Sequence, residues 1–217
     1  MEYVAFFDLD NTIIKINSGE ALLRRGYKNG LLSTGKLIHT YYLLILYKAH
    51  LIDSLKIIEK LCGWLAESTI IELETLCDEV VEKDLLPAIR REIITEIRMH
   101  KEKGNLVVIL SSALAEICLP VGKHLGVDDV ICSELEVVNQ RYTGRTKTGF
   151  CFKNEKLRRM NEYLSASNLL QENSSYYADS IDDLPALLTV GHAVCVSPDR
   201  RLEKAARQHN WVVHNWV

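Results

Sequence analysis

The chain has no Cys-x-x-Cys pair, no block of basic residues and no apolar run long enough for a membrane span. Each gap removes a class of protein. Six cysteines (Cys62, Cys77, Cys118, Cys132, Cys151 and Cys195) are scattered along 217 residues. Without paired spacing they read as reduced core thiols, not as a disulfide framework or a zinc site. The net charge is −3 and basic residues do not interleave with aromatics. That leaves no electrostatic footprint for nucleic acid, and none is expected as a partner. The most lipid-like stretch, Tyr41 to Tyr47, is flanked by His39, Lys48 and His50. It falls far short of the roughly 20 apolar residues a transmembrane helix needs. Met1-Glu2-Tyr3 lacks the basic start of a secretory leader. A cytoplasmic location with no transmembrane segment is the expectation.

With 47% apolar and 25% charged residues, the chain can build one sizeable domain, or a main domain with an insert. Short β-like runs fall at about 3–7, 106–110, 130–132, 175–178, 193–196 and 211–214. Most are separated by helically spaced segments, such as Asn154 to Leu164 and Leu202 to His209. That alternation predicts an α/β fold with a mostly parallel sheet covered by helices on both faces. Between about residues 15 and 90 the pattern changes to leucine and isoleucine at helical intervals: Ile57, Ile58, Leu61 and Leu65, then Leu73, Leu76, Val80 and Val81. This stretch predicts a small helical bundle inserted after the first strand, with joints at 17–19 and 84–87. Residues 134–150 alternate as a short hairpin with its turn at Val138-Asn139-Gln140-Arg141.

Polar groups are concentrated at the predicted strand ends. Val4 to Phe7 runs into Asp8-Leu9-Asp10-Asn11-Thr12, where two carboxylates two residues apart leave the same side of an extended chain. Like charges that close repel unless a cation or a shared proton neutralises them. A chance Asp-x-Asp-x-Thr occurs in on the order of a few per cent of chains, so the motif alone is only suggestive. Ser111 and Ser112 follow the second strand, Lys156 opens a helical segment, and Asp179-Ser180-Ile181-Asp182-Asp183 follows the fourth. Taken singly, each has a plain alternative: a strand-end turn, a helix cap, a solvated lysine, an acidic turn. In parallel sheets ligands sit beyond the carboxyl ends of the strands, so together these groups would converge on one edge. Phosphoryl transfer needs a carboxylate nucleophile, an adjacent acid and base, a hard cation, and hydroxyl and ammonium groups for the phosphoryl oxygens. The residues at hand match that demand.

The ordered set resembles the haloacid dehalogenase superfamily of aspartate-nucleophile hydrolases, in its phosphoserine-phosphatase-like branch. The likeness extends to Leu125-Gly126-Val127-Asp128-Asp129-Val130, Tyr142-Thr143-Gly144, Asp183-Leu184-Pro185 and Val196-Ser197-Pro198-Asp199-Arg200-Arg201-Leu202. The resemblance implies a Rossmann-like, doubly wound core over 1–14 and 88–217, with a helical cap at 15–87. It implies a Mg²⁺-dependent phosphatase that hydrolyses a small phosphomonoester through an aspartyl-phosphate. Asp8 would be nucleophile and metal ligand, and Asp10 the acid and base, binding metal through its carbonyl. In the phosphate site, Ser111 with the Ser112 backbone N–H would bind the transferring phosphoryl group, Lys156 would neutralise the phosphate and the nucleophile, and Thr12 would help hold the loop; Asp179 and Asp183 would bind the metal. Two alternatives use the same residues: a phosphotransferase or mutase, and a non-catalytic, receiver-like phosphate and Mg²⁺-binding module.

The chain departs from that branch at three positions. Ala178 stands where glycine usually opens the last motif, and Asp182 where Asn is common. Asn17 stands where phosphoserine phosphatases tend to carry a glutamate that reads the substrate's amino group; Glu20 is close by. That change argues against phosphoserine. Arg24 and Arg25 are positional candidates for holding a substrate carboxylate, and Tyr41 to Tyr47 for contacting an apolar leaving group such as a lysophospholipid headgroup ester.

Overall fold

The computed structural model describes residues 3–48 and 62–216. Six strands form one sheet: β1 (Val4–Phe7), β2 (Leu106–Leu114), β3 (Asp129–Ser133), β6 (Ser174–Ala178), β7 (His192–Val196) and β8 (Val212–His214). Their order is β3-β2-β1-β6-β7-β8, and every neighbouring pair is parallel. The chain winds outward from β1 through β2 to β3, then returns to the other side of β1 for β6, β7 and β8. The order therefore reverses between β1 and β6, the point where sheets of this kind open a crevice for ligands.

Both faces of the sheet are buried, which explains why the central strands read as near-continuous apolar runs. Ala5, Phe7, Val107 and Ile109 face one core, shared with Ile93 and Ile97 of α4 (Arg91–Glu102) and Ile117 and Val121 of α5 (Ala115–Leu125). Their neighbours Val4, Phe6, Val108 and Leu110 face a second core. That core is closed by Met160 and Leu164 of α6 (Asn154–Ala166), Leu187 of α7 (Leu184–Leu187) and Leu202 of α8 (Arg200–His209). The two-residue period of the pleat is written directly into the sequence. Each fully buried Leu or Ile contributes roughly 1.5–3 kcal/mol.

Between β1 and α4 lie α1 (Ser18–Lys28), α2 (Thr34–Lys48) and α3 (Ile70–Val80) among the described residues. Leu73, Leu76 and Val80 are buried as their spacing requires, while the expected contribution of Ile57, Ile58 and Leu61 lies outside the described residues. Asn17, one expected joint, caps α1: its side-chain oxygen accepts from the Glu20 N–H at 2.9 Å. At the other joint the chain stays helical, passing through a wide turn at Val81–Leu85 and a tight one at Leu86–Ala88. Arg25 of α1 reaches Asp84 at 2.6 Å and Glu79 at 3.2 Å, tying these helical segments together. The hairpin forms from β4 (Leu135–Val138) and β5 (Arg141–Thr146). Asn139 and Gln140 take left-handed φ values of 51° and 63°, the pairing a tight hairpin turn requires.

The strand ending expected at Leu110 needs correction. β2 continues to Leu114, with an irregular register against β3 between Leu110 and Leu114. Ser111 and Ser112 therefore sit inside an irregular strand end. They do not cap the helix that follows: the N-cap of α5 is Leu114, with no side-chain hydrogen bond. The six cysteines are free. Among the described residues no helix is long and apolar enough to cross a membrane.

Candidate active site

Asp8 directly follows β1, and its N–H donates to the Tyr177 carbonyl of β6 at 2.9 Å. Asp179 directly follows β6. The two carboxylates thus stand on adjacent strand ends at the point where the sheet order reverses. Asp183 is carried by the short turn Ile181–Asp183, whose start is capped by Ser180 accepting from the Asp182 N–H at 3.2 Å. Carboxylate oxygens of Asp8, Asp179 and Asp183 lie within 4.8 Å of one another.

Lys156 projects from the first turn of α6 into this cluster and is only 2% exposed. Its ammonium donates to Asp183 at 2.7 Å, to Asp8 at 3.0 Å and to the Tyr176 hydroxyl at 3.0 Å. The plain alternative of a solvated helix-face lysine is thereby removed. Tyr176 in turn donates to Asp183 at 2.9 Å. Sequence reasoning missed Tyr176; the signal was a tyrosine inside an apolar strand, whose buried hydroxyl must find a partner.

Charge balance decides what this cluster can hold. Once all are ionised, three carboxylates face one ammonium, an excess of two negative charges. Burial pushes the Asp179 carboxyl up to about 8, reinforced by the charges of Asp8 and Asp183. Burial raises Asp183 to about 6 against the opposing pull of Lys156, and raises Asp8 as well. Burial disfavours the Lys156 charge, but attraction to Asp183 and Asp8 outweighs it and holds its pKa well above the ordinary value. Such a site either keeps protons at neutral pH or takes up a cation. Its donors are all hard oxygens, matching a hard divalent ion.

Asp10 is oriented differently. Its carboxylate accepts from the Ser18 N–H at 2.8 Å and from the Asn17 amide at 3.1 Å. Burial raises its pKa, and the bond from Ser18 opposes the rise. Asn11, next to it, adopts a left-handed φ of 56°, which turns the chain away from the strand direction. Asn17 therefore does two jobs that the sequence could not reveal: it caps α1 and it holds Asp10.

Thr12 is fully buried, and its hydroxyl lies 3.5 Å from Asp179, so it braces the loop and does not line the open space. Ser111 is likewise buried, its hydroxyl accepting from the Ala113 N–H at 3.2 Å. Ser112 reaches the open space instead. An open cleft of about 900 Å³ is lined by Asp8, Asp10, Ser112, Lys156, Asp179 and Asp183, together with Arg24 and Glu20 of α1. Beside it lies a smaller, largely apolar chamber of about 220 Å³. Asp10, Asn17, Glu20, Ser112 and Phe152 border both. Of the two positional arginines, Arg24 lines the cleft while Arg25 is engaged by Asp84 and Glu79.

The family model for haloacid dehalogenase-like hydrolases matches residues 5–188, which contain every one of these groups. The chain belongs to this family. This hydrolase is 29% identical over 221 residues to the histidinol-phosphatase of Neisseria meningitidis, covering all of both chains. Its fold is that of a Bordetella pertussis protein of unknown function, with a TM-score of 0.91, 23% identity and 99% of each chain covered. It is also that of a substrate-bound phosphoserine phosphatase, with a TM-score of 0.75, 13% identity, and 99% and 93% of the chains covered.

Proposed function

We propose that this hydrolase is a Mg²⁺-dependent phosphomonoesterase working through an aspartyl-phosphate on Asp8. The observation that carries the reading is the excess of two negative charges where Asp8, Asp179 and Asp183 meet Lys156. It equals the charge of one divalent cation, and the ligand oxygens suit Mg²⁺. Asp8 and Asp179, with Asp183 directly or through water, and the Asp10 carbonyl would hold the ion. When bound, it would offset phosphate charge and draw the Asp8 carboxylate and the ester into line.

In the first step an Asp8 oxygen attacks phosphorus and the bond from phosphorus to the ester oxygen breaks. Asp10, in its protonated form, which burial favours, gives its proton to the departing alkoxide. In the second step Asp10, now ionised, removes a proton from water as that water attacks the phosphorus of aspartyl-phosphate. Inorganic phosphate leaves, and both carboxyl groups return to their starting states. Asn17 and the Ser18 N–H keep Asp10 on the side where the leaving group departs. Lys156 neutralises charge on Asp8 and on the phosphoryl oxygens, aided by Ser112 at the cleft wall, while Thr12 and Ser111 brace the loops.

The segment 15–87 acts as the cap over the core formed by 1–14 and 88–217. Supporting this reading, Leu22, Leu23, Leu44, Trp64 and Leu65 of that segment line the chamber beside Asp10. The test is phosphate release from phosphorylated amino acids, amino alcohols, sugars, nucleotides and lipids, with Mg²⁺ and with a chelator. Turnover that requires Mg²⁺ supports the reading; no turnover of any phosphomonoester overturns it.

A further inference from the structure

The small chamber has a composition that selects among leaving groups. Its walls are mostly Leu, Ile, Phe and Trp side chains, with Leu44 from α2, Trp64 from the turn Gly63–Leu65 and Phe150 and Phe152 from the loop before α6. Among the described residues lining it, the charged ones are Asp10 and Glu20, both acidic. A carboxylate entering such a space would lose its hydration against mostly apolar walls. An apolar body would gain by leaving water. The volume sets a second limit. An apolar cavity of roughly 150 Å³ accepts a benzene ring, so about 220 Å³ takes one ring with a short linker. The stretch Tyr41 to Tyr47 contributes accordingly. Leu44 reaches the chamber, whereas Tyr41, Tyr42 and Ile45 are exposed, and the Tyr47 side chain lies outside the described residues.

Resting on the phosphomonoesterase reading above, we propose that the substrate is the phosphate ester of a small alcohol. Its body is an apolar single ring or a short branched chain, free of carboxylate. Asp10 borders the chamber and the phosphate cleft at once, so an alcohol seated in the chamber has its ester oxygen beside the proton donor. Arg24 faces only the cleft and Arg25 is held by acids of the helical segment, so neither supplies a carboxylate partner inside the chamber.

Two matched pairs of esters test this on the Mg²⁺-loaded protein. 2-Phenylethyl phosphate against ethyl phosphate isolates the ring, and phosphoethanolamine against phosphoserine isolates the carboxylate. The expected kcat/KM is at least about tenfold higher for the ring-bearing ester and about tenfold higher for the carboxylate-free amine. Leu44→Trp, which fills the chamber from α2, should narrow the first ratio. Equal rates within both pairs, or phosphoserine preferred, would overturn the proposal while leaving the phosphatase reading intact. If none of the four esters nor any other phosphomonoester is hydrolysed, the phosphatase reading itself fails.

Discussion

Asp8 and Asp179 follow adjacent parallel strands, whereas Leu22, Leu44 and Trp64 reach the neighbouring chamber from two helices and a short turn. The first group is fixed by the sheet: β1 is paired on both sides, residue by residue, with β2 and β6. Its side chains are locked by charge, with Lys156 donating to Asp8 and Asp183. The second group is held by packing around α1 and α3, with α2 presenting Ile38, Tyr42 and Ile45 to solvent. On the proposed reading, chemistry rests on groups fixed by strand pairing and ion pairs, and selection on groups held by side-chain packing. Changes at the strand ends should abolish turnover for every ester, and changes in the chamber should reorder esters.

The largest expected effect is that of Asp8→Asn, which should lower kcat by about 10⁴-fold or more for all substrates alike. A loss confined to some esters would break the contrast between the two regions. The next is on the metal-free protein. Asp179 and Asp183 hold protons up to about 8 and about 6, against 3.8 for the ordinary group. The folded state therefore binds more protons than the unfolded state across that window, and stability must fall as pH rises through it. Melting in chelator should drop by on the order of 10 °C between pH 4.5 and 8. Saturating Mg²⁺ should cancel most of the drop by favouring the ionised carboxylates.

Lys156→Met should slow turnover by about 10²–10³-fold, again for every ester, because the charge beside the transferring phosphoryl group is lost. Asn17→Ala should cost about tenfold in kcat and shift the pH profile of kcat, since Asp10 loses one of its two donors. It should also cost about 1 kcal/mol of stability through the lost cap of α1. Tyr176→Phe should be mildest, about 1 kcal/mol in the melt, because Lys156 retains both of its carboxylate partners.

The strand-borne half of this picture was legible in the sequence because its information is local. An apolar run ending in Asp8-Leu9-Asp10 already states both the strand and the edge at which it stops, and Lys156 and Asp179 sit at equally visible boundaries. The hairpin turn at Asn139-Gln140 was legible for the same reason. The continuation of β2 to Leu114 was not, since Ser111-Ser112-Ala113 carries no strand-like pattern and is extended by tertiary context. Nor were the contacts of Asn17 with Asp10 and of Tyr176 with Asp183, which depend on where the chain folds back. The chamber was the least visible. Its walls are ordinary core residues drawn from positions as far apart as Leu22 and Phe152, and nothing in their types distinguishes a lining residue from a packed one.

The most direct measurement is rapid acid quench during turnover, followed by peptide mass analysis of the protein. The account predicts one phosphoryl group, labile to hydroxylamine, on the peptide carrying Asp8, and none in Asp8→Asn. A phosphoryl group on another residue, or undiminished phosphate release by Asp8→Asn, would contradict it.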